Sequence, residues 1–244
     1  VQGRYLLHIA YNGKNYHGWQ KQHNALSVQQ VMEEKLSLLL GENIETLGCG
    51  RTDTGVHARS FYLHFDTRSV IDADKFIFKL NQILPHDIAA FGISKVSNDF
   101  NARFDAVSRS YEYMITTIKD PFLHESAWYQ YGPFDLIKMN HCAAKLLGTH
   151  DFECFSKVHT QVNNFICEVS EAQWQIQEHK LIFTITANRF LRNMVRAIVG
   201  TLVEVGRGKI SEEEFDNILK SKNRSEAGQS VPAHGLYLTR VIYP

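Results

Sequence analysis

Apolar residues recur along this chain with two periods, every second residue in some stretches and every third or fourth in others. The alternation divides the chain into short elements. Residues 4–10, YLLHIAY, are rich in apolar and aromatic types and predict a strand. In SVQQVMEEKLSLLLG, Val28, Val31, Met32, Leu36 and Leu39 fall on one helical face. Ser27 and Gln30 suit a capping box at its start, and Gly41 suits its stop. IETLGCG (44–50) and FYLHFDT (61–67) predict strands, and IDADKFIFKLNQIL (71–84) predicts a helix opened by Asp72 and ended before Pro85. IAAFGISKV (88–96) predicts a further strand, so the first half reads β-α-β-β-α-β.

The second half repeats that order. RSYEYMITT (109–117) predicts a strand, and DLIKMNHCAAKLLG (135–148) a helix with Leu136, Met139, Ala143 and Leu146 on one face. ICEVSEAQWQIQ (166–177) and KLIFTITA (180–187) predict a hairpin turning at Glu178–His179. RFLRNMVRAIVGTLVEVG (189–206) predicts a long helix. SEEEFDNILKSK predicts a short one with a capping box at Ser211 and Glu214, and GLYLTRVIYP closes as a strand. The expected fold is α+β. Two ferredoxin-like halves, 1–105 and 106–244, would form a continuous, mostly antiparallel sheet with helices on one face and a cleft between the halves. The repeat is one of element order, without clear residue-by-residue similarity. No Pro/Gly/Ser-rich linker separates the halves, and the junction falls near DFNARFDAVSRS (99–110).

Composition narrows the picture only a little. The 244 residues are 44% apolar, enough for a sizeable core. No apolar run reaches the ~18–20 residues of a membrane span. VQGRYLLHIAYNG does not resemble a secretion leader, so a cytoplasmic location is expected. The cysteines, Cys49, Cys142, Cys154 and Cys167, lack zinc-knuckle spacing and read as free thiols. Basic and acidic residues balance at 26 each, but locally the charges segregate. Arg189, Arg192, Arg196, Arg207 and Lys209 cluster, Arg51 and Arg59 flank one loop, Arg103 and Arg109 form a pair, and Glu212, Glu213 and Glu214 collect elsewhere. A neutral total therefore neither indicates nor excludes a nucleic-acid partner.

The stretch most suggestive of chemistry is GCGRTDTGVHA (48–58). Gly48, Gly50 and Gly55 permit unusual backbone angles or close approach to the main chain, and Arg51 suits an anion. Asp53 has a plain structural use, as a turn aspartate bonding its own backbone, beside chemical uses as nucleophile, base or metal ligand. A phosphate loop would need Gly-Lys-Ser/Thr opening a helix, which is absent, and His57 alone makes a thin metal set with Asp53. On the long helix, at about 100° per residue, Arg192 and Arg196 project roughly 20° to either side of Val203, on the flank of the apolar stripe. They either snorkel to water or reach into a site to hold an acid. Tyr111 and Tyr113 share one strand face, as core residues or as an aromatic surface for a flat ring. ARSFYLHF (58–65) is loosely similar to an RNA-recognition strand but lacks its glycines.

With these residues in view, the chain resembles the tRNA pseudouridine synthase A family almost end to end. The resemblance is carried by YNGKNYHGWQKQ (11–22), GCGRTDTGVHARSFYLHFDT (48–67), FNARFDAVSRSYEY (100–113), ANRFLRNMVRAIVGTLVEVGRGK (187–209) and PAHGLYLTRVIYP (232–244). It implies conversion of uridine to pseudouridine at positions 38–40 of the tRNA anticodon stem-loop, without cofactor or metal, by a homodimer. It also implies a duplicated ferredoxin-like fold with the site in a cleft between halves. Asp53 would be the catalytic aspartate, Tyr111 the tyrosine stacking on the target base, Arg196 the basic partner of the aspartate, and Arg51 a group that helps move the base out. Arg51, Arg59, Arg103, Arg109 and Arg192 are expected to contact phosphates. Thr54 stands where alanine is usual, and Asn163 where arginine is frequent. Two other classes remain alongside: a non-catalytic RNA-binding module, with no use for Asp53, and a glycosidase, which would want a second acid and release uracil.

Overall fold

The computed structural model describes residues 3–157 and 164–244. It is α+β, with two compact units: residues 1–107 with 237–244, and residues 108–236. Asn163 lies outside the described residues.

In the first unit, β1 (Gly3–Tyr11) runs antiparallel to both β4 (Ile88–Val96) and β3 (His57–Thr67), and β2 (Thr46–Gly48) runs antiparallel to β3. The order β4-β1-β3-β2, with α1 (Val28–Leu40) after β1 and α2 (Ala73–Ile83) after β3, is the ferredoxin-like arrangement. Every second residue of β3 from Phe61 to Thr67 is buried, so Phe61, Leu63 and Phe65 join Leu7 and Ile9 in the core, with Phe76 of α2 beside Phe65. The aromatics at 61 and 65 are therefore core residues, which corrects the loose likeness to an RNA-recognition strand. Tyr62, on the other face, stacks on His8.

Helix boundaries follow side-chain chemistry. Ser27 caps α1 by accepting from the Gln30 amide, and Gly41 ends it with φ +70. The Gln30 side chain, expected to complete a capping box, instead donates to Glu34. Asp72 caps α2.

The second unit pairs β5 (Ser108–Thr116), β9 (Lys180–Ala187), β8 (Ile166–Gln177) and β7 (Gly148–Asp151) antiparallel in that order, with the two-residue β6 (Trp128–Tyr129) parallel to β5. β6 and β7 are too short for periodicity to reveal. α3 (Leu136–Ala144) is shorter than its pattern predicts, although Leu146 beyond its end is still fully buried. α5 (Glu212–Ser221) carries the full Ser211–Glu214 capping box.

One expectation needs correction. The predicted helix 189–206 begins only at Met194, giving α4 (Met194–Gly206), because Asn193 adopts a left-handed φ of 66. Asparagine tolerates that conformation better than most residues, and a single such residue breaks the helical path. Arg192 therefore precedes the helix and is not on its flank. The last strand, β10 (Leu236–Ile242), read from sequence as a closing strand, pairs in parallel with the start of β3, Tyr237 opposite His57 and Leu238 opposite Ala58. β3 has eleven residues, and β2 covers only the opposite end of that edge, at residues 63–65.

Candidate active site

The Asp53 loop joins β2 to β3 and is held mainly by the segment that follows β1. The Asp53 carbonyl accepts from the Val56 amide at 3.1 Å, and Gly55 has φ +77, which makes residues 53–56 a tight turn of the kind that needs glycine at its third position. The Gly55 amide donates to the Tyr16 carbonyl at 3.2 Å, and the Trp19 amide to the Thr52 carbonyl at 3.2 Å. The Tyr11 and Thr52 hydroxyls are 2.8 Å apart, and the Gly13 amide donates to Nδ1 of His57 at 3.1 Å.

Glycine is required where these segments touch. A Cβ on Gly13 would lie 1.9 Å from the Val56 carbonyl oxygen. One on Gly18, whose φ is +81, would lie 2.3 Å from that of Thr52. Gly48 is pressed between Trp19 and Phe61, where a Cβ would meet both rings at 2.7 Å. Gly50 shows no such need, since nothing lies within 4 Å and its φ is not positive. Of the three loop glycines named from sequence, Gly55 supplies the turn and Gly48 the close packing.

The cradle is itself tied to α1. The Val28 and Gln29 amides, at the open end of the helix, donate to the Gly18 and Trp19 carbonyls. Buried Glu33 accepts from the Thr46 amide and hydroxyl, while Gln29 donates to the Thr46 carbonyl. α1 thus grips both the cradle and the strand that leads into the loop. Sequence reasoning assigned no role to Tyr11, Gly13, Gly18, Trp19 or Glu33; the glycine spacing in YNGKNYHGW was the available signal.

The other candidates are placed as follows. Asp53 is half-buried, while Arg51 and Thr54 are exposed. Arg59 lays its guanidinium over the Tyr237 ring at 4.7 Å, and His57 stacks on the same ring. These residues line a cleft of about 300 Å³ with Asn12, His86 and Asp87. Exposed Arg103 lies over Phe104 at 5.5 Å.

In the second unit, Tyr111 is half-buried with its ring edge-on to Phe190 at 5.1 Å. Tyr113 is fully buried and donates to the Pro232 carbonyl, and burial raises its pKa far above the usual phenol range. Of the two tyrosines on that strand face, only Tyr111 is accessible. Arg109 donates to the Asn188 carbonyl, and Arg192 is exposed. Arg196 is half-buried on α4, with Nε donating to the Val231 carbonyl at 2.7 Å and its own carbonyl accepting from the Val231 amide. The 228–232 segment that fixes this arginine lies against the helix through Gly200, where a Cβ would be 1.9 Å from the Gln229 carbonyl oxygen. Snorkelling alone does not describe Arg196, because a backbone acceptor fixes its guanidinium.

Among the described residues, no group of three His, Cys, Asp or Glu is placed to hold a metal ion, and no helix is long and apolar enough to cross a membrane. All four cysteines are buried and none is in a disulfide.

Fold and loop together define a class: an α+β, ferredoxin-like protein that presents one carboxylate on a rigidly cradled strand-to-strand loop. A family model described as tRNA pseudouridine synthase matches residues 8–105 and 142–244, which include Asp53 and Arg196 and leave Tyr111 between the matched segments. The tRNA pseudouridine synthase A of Bacteroides fragilis is 47% identical over 243 residues, 99% of this chain and 96% of that protein. That of Porphyromonas gingivalis is 46% identical over 245 residues, covering 99% and 97%. That of Clostridium acetobutylicum is 41% identical over 239 residues, covering 97% and 98%. The chain belongs to the tRNA pseudouridine synthase family, and it is an isomerase.

Proposed function

We propose that this enzyme converts uridine to pseudouridine at positions 38–40 of the tRNA anticodon stem-loop, with Asp53 as the catalytic carboxylate. The observation that carries this reading is the cradle: a whole N-terminal segment, with two glycines that admit no side chain, holds the backbone on either side of Asp53. A turn aspartate with no further task would not need such support.

The reaction breaks the N1–C1′ bond, turns the uracil and joins C5 to C1′. It is an isomerisation that transfers no electrons and donates no group, so its stoichiometry calls for no cofactor. A carboxylate suits an electron-poor C1′, and one suffices because no water has to be activated. The target base leaves its stack at a cost of a few kcal/mol, part of which an aromatic face can replace. Tyr111, the accessible tyrosine, is assigned that face and is also a candidate acceptor for the C5 proton. Arg196 is assigned the charge that keeps the carboxylate ionised, and its bond to Val231 would hold it ready. Arg51 is assigned to base displacement, and Arg51, Arg59, Arg103, Arg109 and Arg192 to phosphates. The working form is proposed to be a cytoplasmic homodimer.

The test is tritium release from unmodified tRNA labelled at uracil C5. Wild type should release tritium without freeing uracil, and Asp53→Asn should release none while still binding tRNA. Free uracil would indicate a glycosidase instead. No release by wild type, with tRNA still bound, would indicate a binding module.

A further inference from the structure

We propose that the Tyr11–Thr52 hydroxyl pair sets the aim of the Asp53 carboxylate, which makes Tyr11 and Thr52 positioning residues of the reaction; this rests on Asp53 being the catalytic carboxylate. Tyr11 is the last residue of β1 and is registered against Ala58 on one side and Ile88 on the other. Its ring lies 5.5 Å from Phe61 and 6.5 Å from Trp19, and it is only 4% exposed, so its hydroxyl is fixed in space.

Thr52, 7% exposed, directly precedes Asp53 and is held at two points. Its hydroxyl meets that of Tyr11 at 2.8 Å, and its carbonyl accepts from Trp19. The next carbonyl, that of Asp53, accepts from Val56. Both peptide groups flanking Asp53 are therefore anchored. On the N-terminal side the backbone bond from Trp19 is joined by a polar pair set among aromatic rings. Phe and Val would fill the same space there, and replacing both partners of a buried hydrogen bond by apolar groups of the same shape is nearly neutral for stability. A hydroxyl pair is needed to fix an orientation rather than to fill the volume.

The experiment compares Tyr11→Phe, Thr52→Val, the double variant and Thr52→Ser by steady-state tritium release and thermal melting, with Asp53→Asn in parallel. The double variant should melt close to wild type and keep its KM for tRNA, yet lose about 10- to 100-fold in kcat, the scale expected when a reacting group is misplaced by about 1 Å. It should be no slower than the worse single variant, and Thr52→Ser, which keeps a hydroxyl, should retain most of the rate. Wild-type kcat in the double variant would overturn the proposal. So would a kcat loss that only tracks a lowered melting midpoint, since that is what a purely structural pair would give. Turnover by Asp53→Asn would instead refute the catalytic assignment. An inactive Asp53→Asn beside a fully active double variant would refute the positioning role alone.

Discussion

Gly13 and Gly50 lie on or beside the same loop, yet they respond to opposite constraints. A methyl on Gly13 would lie only 1.9 Å from the Val56 carbonyl oxygen, whereas one on Gly50 would meet nothing within 4 Å. Gly13→Ala should lower stability by more than about 2 kcal/mol, because backbone on both sides prevents relief. Gly50→Ala should be neutral or stabilising by about 0.4–1 kcal/mol through the unfolded chain. Chemical denaturation of the two variants checks both. The cysteines give a pH prediction at the same scale. Burial pushes the Cys142 and Cys167 thiols up to about 11 and that of Cys154 up to about 12. In the unfolded chain they ionise near 9.0, so above that pH the unfolded state holds fewer protons. Stability contributed by these thiols is complete below pH 9 and is lost between about pH 9 and 12. Melting midpoints across that range should fall, and less so in a Cys154→Ala variant.

At the scale of elements, caps were readable and interruptions were not. Ser27, Asp72 and Ser211, expected from sequence to open their helices, accept from the backbone amide three residues on, and Asp135, read as the first helical residue, does the same as a cap. Ser211→Ala should therefore cost about 1 kcal/mol in a thermal melt. The start of α4 escaped the sequence because Arg189 to Arg192 continue a helical pattern, and only the left-handed Asn193 breaks it. The Asn193 side chain donates to the Ser230 hydroxyl at 2.6 Å, a partner 37 residues away that no local pattern reports. Asn193→Ala loses that bond and strains the backbone, and should cost roughly 1–3 kcal/mol by denaturant titration.

For the whole molecule, the path of the chain matters more than its local preferences. β10 was legible as a strand, but its pairing with β3 was not, because alternation states which face is buried and not which neighbour lies alongside. Tyr237 on that strand stacks on His57 and lies under Arg59, so the C-terminal segment helps to build the wall that begins at the end of the Asp53 loop. Tyr237→Ala should destabilise the first unit by about 3 kcal/mol. Hydrogen exchange should accelerate at residues 57–58, where β10 pairs. Unchanged exchange there would mean that the strand adds little to the loop.

The sequence by itself determined the ferredoxin-like order of the elements, because two periodicities and three caps are local properties of neighbouring residues. It also singled out Asp53, Arg196 and Tyr111, by residue type and by family likeness. Only the tertiary structure decided which of two tyrosines on one strand face is open, Tyr111, and which is core, Tyr113, since both follow the same alternation. It likewise decided that Asp53 is cradled by Tyr11, Gly13, Gly18 and Trp19. Those contacts join residues about 40 positions apart, and the close approach of two backbones leaves only glycines as its trace in the sequence.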